Sequence, residues 1–140
     1  MSNILDRFLE AQETTYESAL SEIKAGLKRS HWMWFIFPQY KGLGFSSTTK
    51  FYAIDSIKEA QEYLNHPILG KRLREISNEL LLLESNDITS IMGVPDDKKL
   101  QSSMTLFAEI EASEENVFLK VIEKYYNGNL DPRTLMLINE

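Results

Sequence analysis

The side chains best suited to chemistry in this chain lie in one run, His31-Trp32-Met33-Trp34-Phe35-Ile36-Phe37, which holds both tryptophans of the protein. Aromatic side chains bury large areas and need many neighbours. The run therefore predicts either the centre of the core or the wall of a pocket. In a pocket, Trp32 or Trp34 would stack on a base or a sugar.

His31 is the titratable group of this run, and the cations Lys28 and Arg29 precede it. Desolvation beside two indoles and the nearby positive charge both disfavour a second proton, so a neutral imidazole is expected. Such a ring accepts a proton or orients a ligand. The alternative is a core histidine with both nitrogens satisfied. Gln39, just after the run, is a further candidate for ligand binding.

The loop that follows, residues 41–49, has parts typical of a phosphate site. Gly42 and Gly44 expose backbone amides, Lys41 carries a charge, and four consecutive hydroxyls begin at Ser46. Amides, hydroxyls and an ammonium group are the parts from which phosphate cradles are made. A turn that caps a helix uses the same residue types, so both interpretations stay open.

A third cluster lies between Asp96 and Phe107. In a helix that begins near Asp96, Lys99 and Ser103 share one face. Asp96 and Asp97 would interact favourably with the positive end of that helix. Serine is a mediocre helix former, so Ser102, Ser103 and Thr105 are predicted to satisfy buried polar groups or a ligand.

Helices have to position these residues, and the chain carries many helix-start signals. Thr14-x-x-Glu17 and Ser56-x-x-Glu59 are capping boxes. Further starts are predicted at His66-Pro67, Asp87, Asp96, Ser113 and Asp131-Pro132. The aromatic run has neither a helical nor a strand period, so it predicts a short buried strand or an extended segment ended by Pro38. We expect an all-α fold of seven or eight helices in a single domain, residues 1–140.

Composition excludes several classes of protein. The chain has 140 residues, 43% of them apolar and 26% charged, which is typical of a globular domain. It has no cysteine and two histidines, so neither thiolate chemistry nor a zinc site is expected, and no cofactor is predicted. Nucleotide-loop and hydrolase-elbow motifs are absent from the sequence. With no long apolar run and no signal pattern, the sequence predicts a cytoplasmic protein without a membrane contact.

Charge is spread unevenly along the chain. The net charge of −6 disfavours binding to nucleic acid or an anionic membrane. Residues 21–50 nevertheless carry five cations against Glu22 alone, a net charge of +4, whereas residues 75–97 carry six carboxylates and no cation. The positive stretch coincides with the aromatic run and predicts attraction for a small anion, with Lys28, Arg29 and Lys41 expected to contact its phosphate. The alternative is a solvated helix end.

The chain resembles the bacterial domain of unknown function 1810 family, beginning at Ser30-His31-Trp32-Met33-Trp34-Phe35-Ile36-Phe37-Pro38-Gln39. Further matching segments are Arg7-Phe8-x-Glu10-Ala11-Gln12, Tyr16-x-x-Ala19-Leu20-x-Glu22-Ile23, Gly42-Leu43-Gly44, Tyr63-Leu64-x-His66-Pro67-x-Leu69-Gly70-x-Arg72-Leu73, Asp97-x-Lys99-Leu100-x-Ser102-Ser103-Met104-Thr105-Leu106-Phe107 and Thr134-Leu135. A departure is Met92-Gly93, where the family has Phe-Gly. The resemblance implies a mainly helical fold and no established activity. Such proteins are sometimes labelled calpastatin, which the many core aromatics argue against, since that inhibitor is disordered.

The chain is also similar to the NADAR group of helical proteins, which is linked to ADP-ribose and riboflavin-intermediate chemistry. The residues that carry this likeness are Phe8-Leu9-Glu10-Ala11-Gln12, His66-Pro67-x-x-Gly70 and the turn at Asp96-Asp97. The resemblance implies a nucleotide-like ligand.

Two functions of different class follow. The first is a pocket for a small phosphorylated or ADP-ribose-like metabolite, with hydrolysis of an N-glycosidic bond if the protein is an enzyme. Glu10, His31, Asp96 and Asp97 are then the candidate catalytic groups, because this reaction needs a carboxylate near a cationic sugar. The second is a protein-interaction module that docks through an exposed aromatic run. Single-stranded nucleic acid is a poor third, because the chain is acidic.

Overall fold

The computed structural model describes residues 4–140, which form ten helices. In chain order they are α1 (Asp6–Glu13), α2 (Tyr16–Lys24), α3 (Met33–Ile36), α4 (Ser47–Tyr52), α5 (Ile57–Asn65), α6 (Leu69–Leu82), α7 (Ile88–Met92), α8 (Asp96–Ile110), α9 (Val117–Tyr126) and α10 (Pro132–Ile138). Within these residues β-type pairing is limited to one isolated parallel bridge between Tyr40 and Ile54. The predicted all-α class is confirmed, and the two helices beyond the expected eight are the short α3 and α4.

Most predicted helix starts are confirmed by hydrogen bonds. The Ser56 hydroxyl accepts from the backbone N–H of Glu59 at 3.0 Å, and Asp87 and Asp131 cap α7 and α10 in the same manner. The His66 ring accepts from the N–H groups of Ile68 and Leu69 at 3.1 and 3.2 Å. Each cap satisfies amides that a helix start leaves without a partner.

Two predicted caps are wrong. Thr14 ends α1 with a helical backbone (φ −100°, ψ −6°), not the extended one that an N-cap requires, and α2 begins after Thr15 without a side-chain cap. Ser113 accepts from the N–H of Glu115 in the turn before α9, whereas Asn116 caps that helix through Leu119 N–H. The Asn116 amide also donates to Ala108 O at 2.9 Å, which holds the segment between α8 and α9 against α8.

The aromatic run is a turn of helix, so the predicted strand or extended segment is wrong. Trp32, Met33, Ile36 and Phe37 are at most 2% exposed. Trp32 and Ile36 are four residues apart, as are Met33 and Phe37, so all four side chains lie on one side of a helical turn. In a strand, half of them would point outward. Trp34 is left half-buried on the other side.

Helix α8 lies at the centre of the fold, against α5, α7, α9 and α10. A line of rings crosses the core from Phe8 through Tyr63 and Phe107 to Phe118, with ring centres 5.1–5.8 Å apart. Such contacts favour tilted and edge-on packing over stacked faces. The amide of the buried Gln12 donates to Phe35 O at 2.8 Å and to the Tyr63 hydroxyl at 3.0 Å, which fixes α3 against α1 and α5.

Between residues 4 and 140, no helix combines the length and the apolar character that a membrane span needs.

Candidate functional site

A groove opens where the first turns of α8 meet the start of α10 and the segment after α3. Its volume is about 360 Å³, at the lower end of the range for small-molecule sites. We call it the cationic groove, and it is lined by Gln39, Leu43, Pro95, Lys98, Lys99, Gln101, Ser102, Asp131 and Arg133.

Short-range contacts hold the segment after α3 in place beside the groove. Ile54 N–H donates to Gln39 O at 2.8 Å, and Lys41 N–H donates to Ile54 O at 2.9 Å. Gly42 lies so close to α10 that a Cβ atom there would be 3.1 Å from the Leu137 side chain. The glycine therefore allows the loop to approach α10 closely.

Cations outnumber carboxylates in this groove. Lys98, Lys99 and Arg133 face Asp131 alone, a net charge of +2. Among the described residues, the side chains of Lys98 and Arg133 have no hydrogen bond or ion pair, and Lys99 reaches Asp96 only at 3.9 Å. These cations are therefore available to an anion from solvent.

The Asp131 carboxylate already accepts hydrogen bonds from neighbouring residues of the protein. Its Oδ2 accepts from the hydroxyls of Ser102 and Thr134 at 2.7 and 2.6 Å, and its Oδ1 accepts from Arg133 N–H at 3.3 Å. Burial raises the pKa of Asp131, but the hydrogen bonds from Thr134 and Ser102 outweigh burial, and the pKa lies below its usual value. Asp131 is thus an ionised helix cap, and it balances only part of the groove's positive charge.

Gln39 brings a neutral polar group to the groove. Its carboxamide has no hydrogen-bond partner among residues 4–140, and it also lines a small hollow beside Trp34 and Tyr52. That hollow holds about 10 Å³, roughly one water molecule, so a base does not fit inside it. Trp34 nevertheless stays close to the groove, because Lys99 Nζ lies 5.8 Å from the centre of its ring.

The predicted residues of the aromatic run lie at separate places. Gln39 lines the groove and Trp34 lies next to it, whereas His31 is exposed and is not among the groove residues. Trp32 is fully buried and has no face for a ligand. Arg29 is exposed, and its backbone N–H donates to Glu22.

The residues of the predicted phosphate loop, 41–49, make structural contacts within the protein. The Ser46 hydroxyl caps α4 by accepting from Thr49 N–H at 3.1 Å, as the capping interpretation of the loop expected. A Cβ at Gly44 would lie 2.6 Å from Thr49 Cγ2, so this glycine packs against α4. Lys41 is paired with Asp55 at 3.3 Å on the surface.

The candidate acids and Ser103 are also separate from the groove. Glu10 is exposed on α1, and Asp97 accepts from the Thr89 hydroxyl at 2.7 Å. Asp96 pairs with Lys28 at 2.9 Å. Ser103 is fully buried, and its hydroxyl has no hydrogen-bond partner among the described residues.

Sequence reasoning missed two features of this region. Lys98 and Arg133 belong to the groove but lie far apart in the chain, in segments without a positive charge excess. No structural role was predicted for Glu22, yet its Oε1 accepts from Arg29 N–H, Ser30 N–H and Trp32 Nε1 at 2.7–2.9 Å. The signal for Glu22 was visible, because it is the lone carboxylate within a positive stretch.

The fold and the groove define a mainly helical protein with a small cationic site. A family model described as "Protein of unknown function (DUF1810)" matches residues 2–138, and the chain belongs to that family. The resemblance noted in the sequence is thereby confirmed. The chain is also similar to a conserved hypothetical protein, Rv1873 from Mycobacterium tuberculosis, known from a crystal structure. The two share 47% identity over 97% of this chain and 96% of the other, with a TM-score of 0.92. A search of curated proteins gives no match.

Proposed function

We propose that this protein binds a small phosphorylated metabolite in the cationic groove. The observation that carries the proposal is the excess of positive charge there. Lys98 and Arg133 are unpaired among the described residues and Lys99 reaches Asp96 only at 3.9 Å, whereas the one carboxylate of the groove already has three donors. Charge-assisted hydrogen bonds from such groups suit phosphate oxygens. The proposed location is the cytoplasm, where phosphorylated metabolites are made and used.

The rest of the ligand would be small and partly polar. Gln39 offers a donor and an acceptor, and Leu43 and Pro95 offer apolar surface. A volume of about 360 Å³ suits a sugar phosphate or one part of an ADP-ribose-like molecule. Of the two indoles, Trp34 is the one placed to contact such a ligand at the edge of the groove, because Trp32 is buried.

Binding has more support than hydrolysis. An N-glycosidase needs a carboxylate that is free to act beside the sugar. The carboxylate in the groove, Asp131, has its oxygens engaged as a helix cap. Glu10 and Asp97 are not among the groove residues. The proposal is therefore a binding function without a catalytic step.

The alternative, a protein-interaction module docking through the aromatic run, has weaker support. That mode needs a contiguous exposed apolar patch. Trp32, Met33, Ile36 and Phe37 are instead part of the core. An acrylamide quenching experiment in which Trp34 becomes shielded only in concentrated protein would favour this alternative.

The test is calorimetry with inorganic phosphate, ribose 5-phosphate and ADP-ribose at low ionic strength, together with tryptophan emission. We expect saturable binding, a change in Trp34 emission that is lost in W34F, and affinities about 5- to 10-fold weaker in K98M and R133M.

The matched control is K58M, which removes an exposed cation on α5 outside the groove. It should leave the affinity unchanged. Absence of heat and of any emission change at about 10 mM of every ligand, a concentration that reveals even weak binding, would refute the proposal. Equal weakening by K58M and K98M would show nonspecific attraction in place of a site.

A further inference from the structure

Asp96, at the start of α8, lies between two lysines that differ in burial. Its Oδ2 is 2.9 Å from Lys28 Nζ, and its Oδ1 is 3.9 Å from Lys99 Nζ. The Lys28 side chain is 8% exposed and that of Lys99 is 31% exposed. One carboxylate thus contacts a buried cation closely and a groove cation loosely.

Lys28 itself is poorly placed to bind a ligand. Its ammonium group donates to Ser30 O at 2.5 Å, pairs with Asp96 and lies 4.9 Å from the centre of the Trp32 ring. These contacts use its donors in a nearly closed space. The charge of Lys28 therefore acts on Asp96 and not directly on the groove.

The balance between these charges decides how free Lys99 is. Attraction between two charges weakens with distance and strengthens with burial. Lys28 is closer to Asp96 and more buried than Lys99, so Asp96 interacts more strongly with Lys28 and holds Lys99 weakly. Without Lys28, Lys99 would be the cation left nearest to Asp96.

We propose that Lys28 and Asp96 set the positive charge that Lys99 presents to an anion in the cationic groove. Both are positioning residues, since neither lines the groove. This inference rests on the proposed function, and it gives Asp96 a role other than that of a catalytic acid.

The experiment is a calorimetric titration with inorganic phosphate of the whole protein and its variants D96N, K28M and K28M/D96N. We expect D96N to bind phosphate about 3- to 10-fold more tightly, because Lys99 loses its carboxylate partner. We expect K28M to bind phosphate about 3- to 10-fold more weakly, because Asp96 then pairs with Lys99. The double variant should lie within about 2-fold of the parent protein, since the two removed charges are opposite.

The opposite changes in phosphate affinity expected for D96N and K28M distinguish an electrostatic role of Asp96 and Lys28 from a purely structural one. Both single variants lose the same ion pair, so damage to the fold alone would weaken binding in both. Changes in the same direction in D96N and K28M would overturn the inference while leaving phosphate binding by the parent protein intact. Absence of phosphate binding by the parent protein would overturn the proposed function and this inference with it.

Two further measurements support the design. If K28M does not fold, D96N is compared with its parent in a K99M background. The gain in phosphate affinity caused by D96N must disappear there, because Lys99 is absent. A gain that persists would contradict the inference. The matched control pair is Lys120–Glu115, an exposed ion pair at 2.6 Å outside the groove. K120M and E115Q should both leave phosphate affinity unchanged.

Discussion

Single carboxylates in this protein do more for the fold than the sequence suggests. Glu22 accepts hydrogen bonds from two backbone amides, the Ser30 hydroxyl and the Trp32 indole. Burial alone would raise the pKa of Glu22, yet these hydrogen bonds outweigh it and lower the pKa from 4.5 to about 2. The segment before α3, and with it the burial of Trp32, depends on this side chain.

Replacing Glu22 by glutamine should destabilise the fold. A neutral amide cannot serve as acceptor for four donors, so we expect a loss of about 1–3 kcal/mol in the free energy of unfolding at pH 7. Urea unfolding followed by tryptophan emission measures this loss. E10Q, at an exposed position on α1, is the control and should change stability by less than about 0.5 kcal/mol.

The Glu22 effect should also depend on pH in one direction. Because its pKa is lower in the folded state, its contribution to stability is present above pH 4.5 and is lost as the pH falls towards 2. The difference in unfolding free energy between the parent protein and E22Q should therefore shrink between pH 5 and about pH 2.5. A difference that stays constant over this range would contradict the assignment.

At the scale of elements, the groove is built from helix ends. Helix α8 supplies cations from its first turns, α10 supplies its capping aspartate, and the loop after α3 supplies Gln39. Each helix end is determined by the sequence around it, whereas the packing of the helices brings the three segments together. Elements that fix the packing should therefore be sensitive to single changes.

Gly70, in the first turn of α6, tests this sensitivity. A Cβ atom there would lie 2.0 Å from Leu64 O and 2.8 Å from Leu64 C, both backbone atoms of α5. Backbone cannot retreat as a flexible side chain does, so we expect G70A to lower the free energy of unfolding by about 3 kcal/mol or more.

Gly128, after α9, provides the comparison for G70A. It has φ +79°, and a Cβ atom added there would meet no heavy atom within 4 Å, so only its left-handed backbone opposes a side chain. G128A should cost about 1–2 kcal/mol. Thermal melts in which G70A is no less stable than G128A would show that α5 and α6 can separate without loss.

At the scale of the whole molecule, two charge distributions oppose one another. The protein carries a net charge of −6, which repels anions, and the cationic groove carries +2. Which field an incoming anion experiences depends on distance, because salt screens exposed charges over a Debye length. The sign of the salt dependence therefore distinguishes them.

We expect phosphate affinity to fall by about 3-fold or more when ionic strength rises from about 0.01 M to about 0.1 M, as the Debye length shortens from about 30 Å to about 10 Å. This result follows if the nearby groove cations dominate. Tighter binding at higher salt would mean that repulsion by the whole chain dominates, and calorimetry at two salt concentrations decides between them.

Much of the fold was readable from the sequence because its signals are local. The caps at Ser56, Asp87 and Asp131 and the start of α8 at Asp96 depend on contacts within one helical turn. The family and the all-α class followed from residues that are contiguous in the chain. The errors at Thr14 and Ser113 arose where two candidate caps stand close together and only the backbone conformation chooses between them.

The candidate site, in contrast, was decided by packing between distant segments. The sequence indicated an anion site beside the aromatic run, but it could not say that Trp32 turns inward to Glu22 while Trp34 stays at the edge. It also could not join Lys98 to Arg133, since each belongs to a different helix. Short-range periodicity fixes which face a side chain occupies on its own helix, whereas the direction in which helices pack fixes which faces meet.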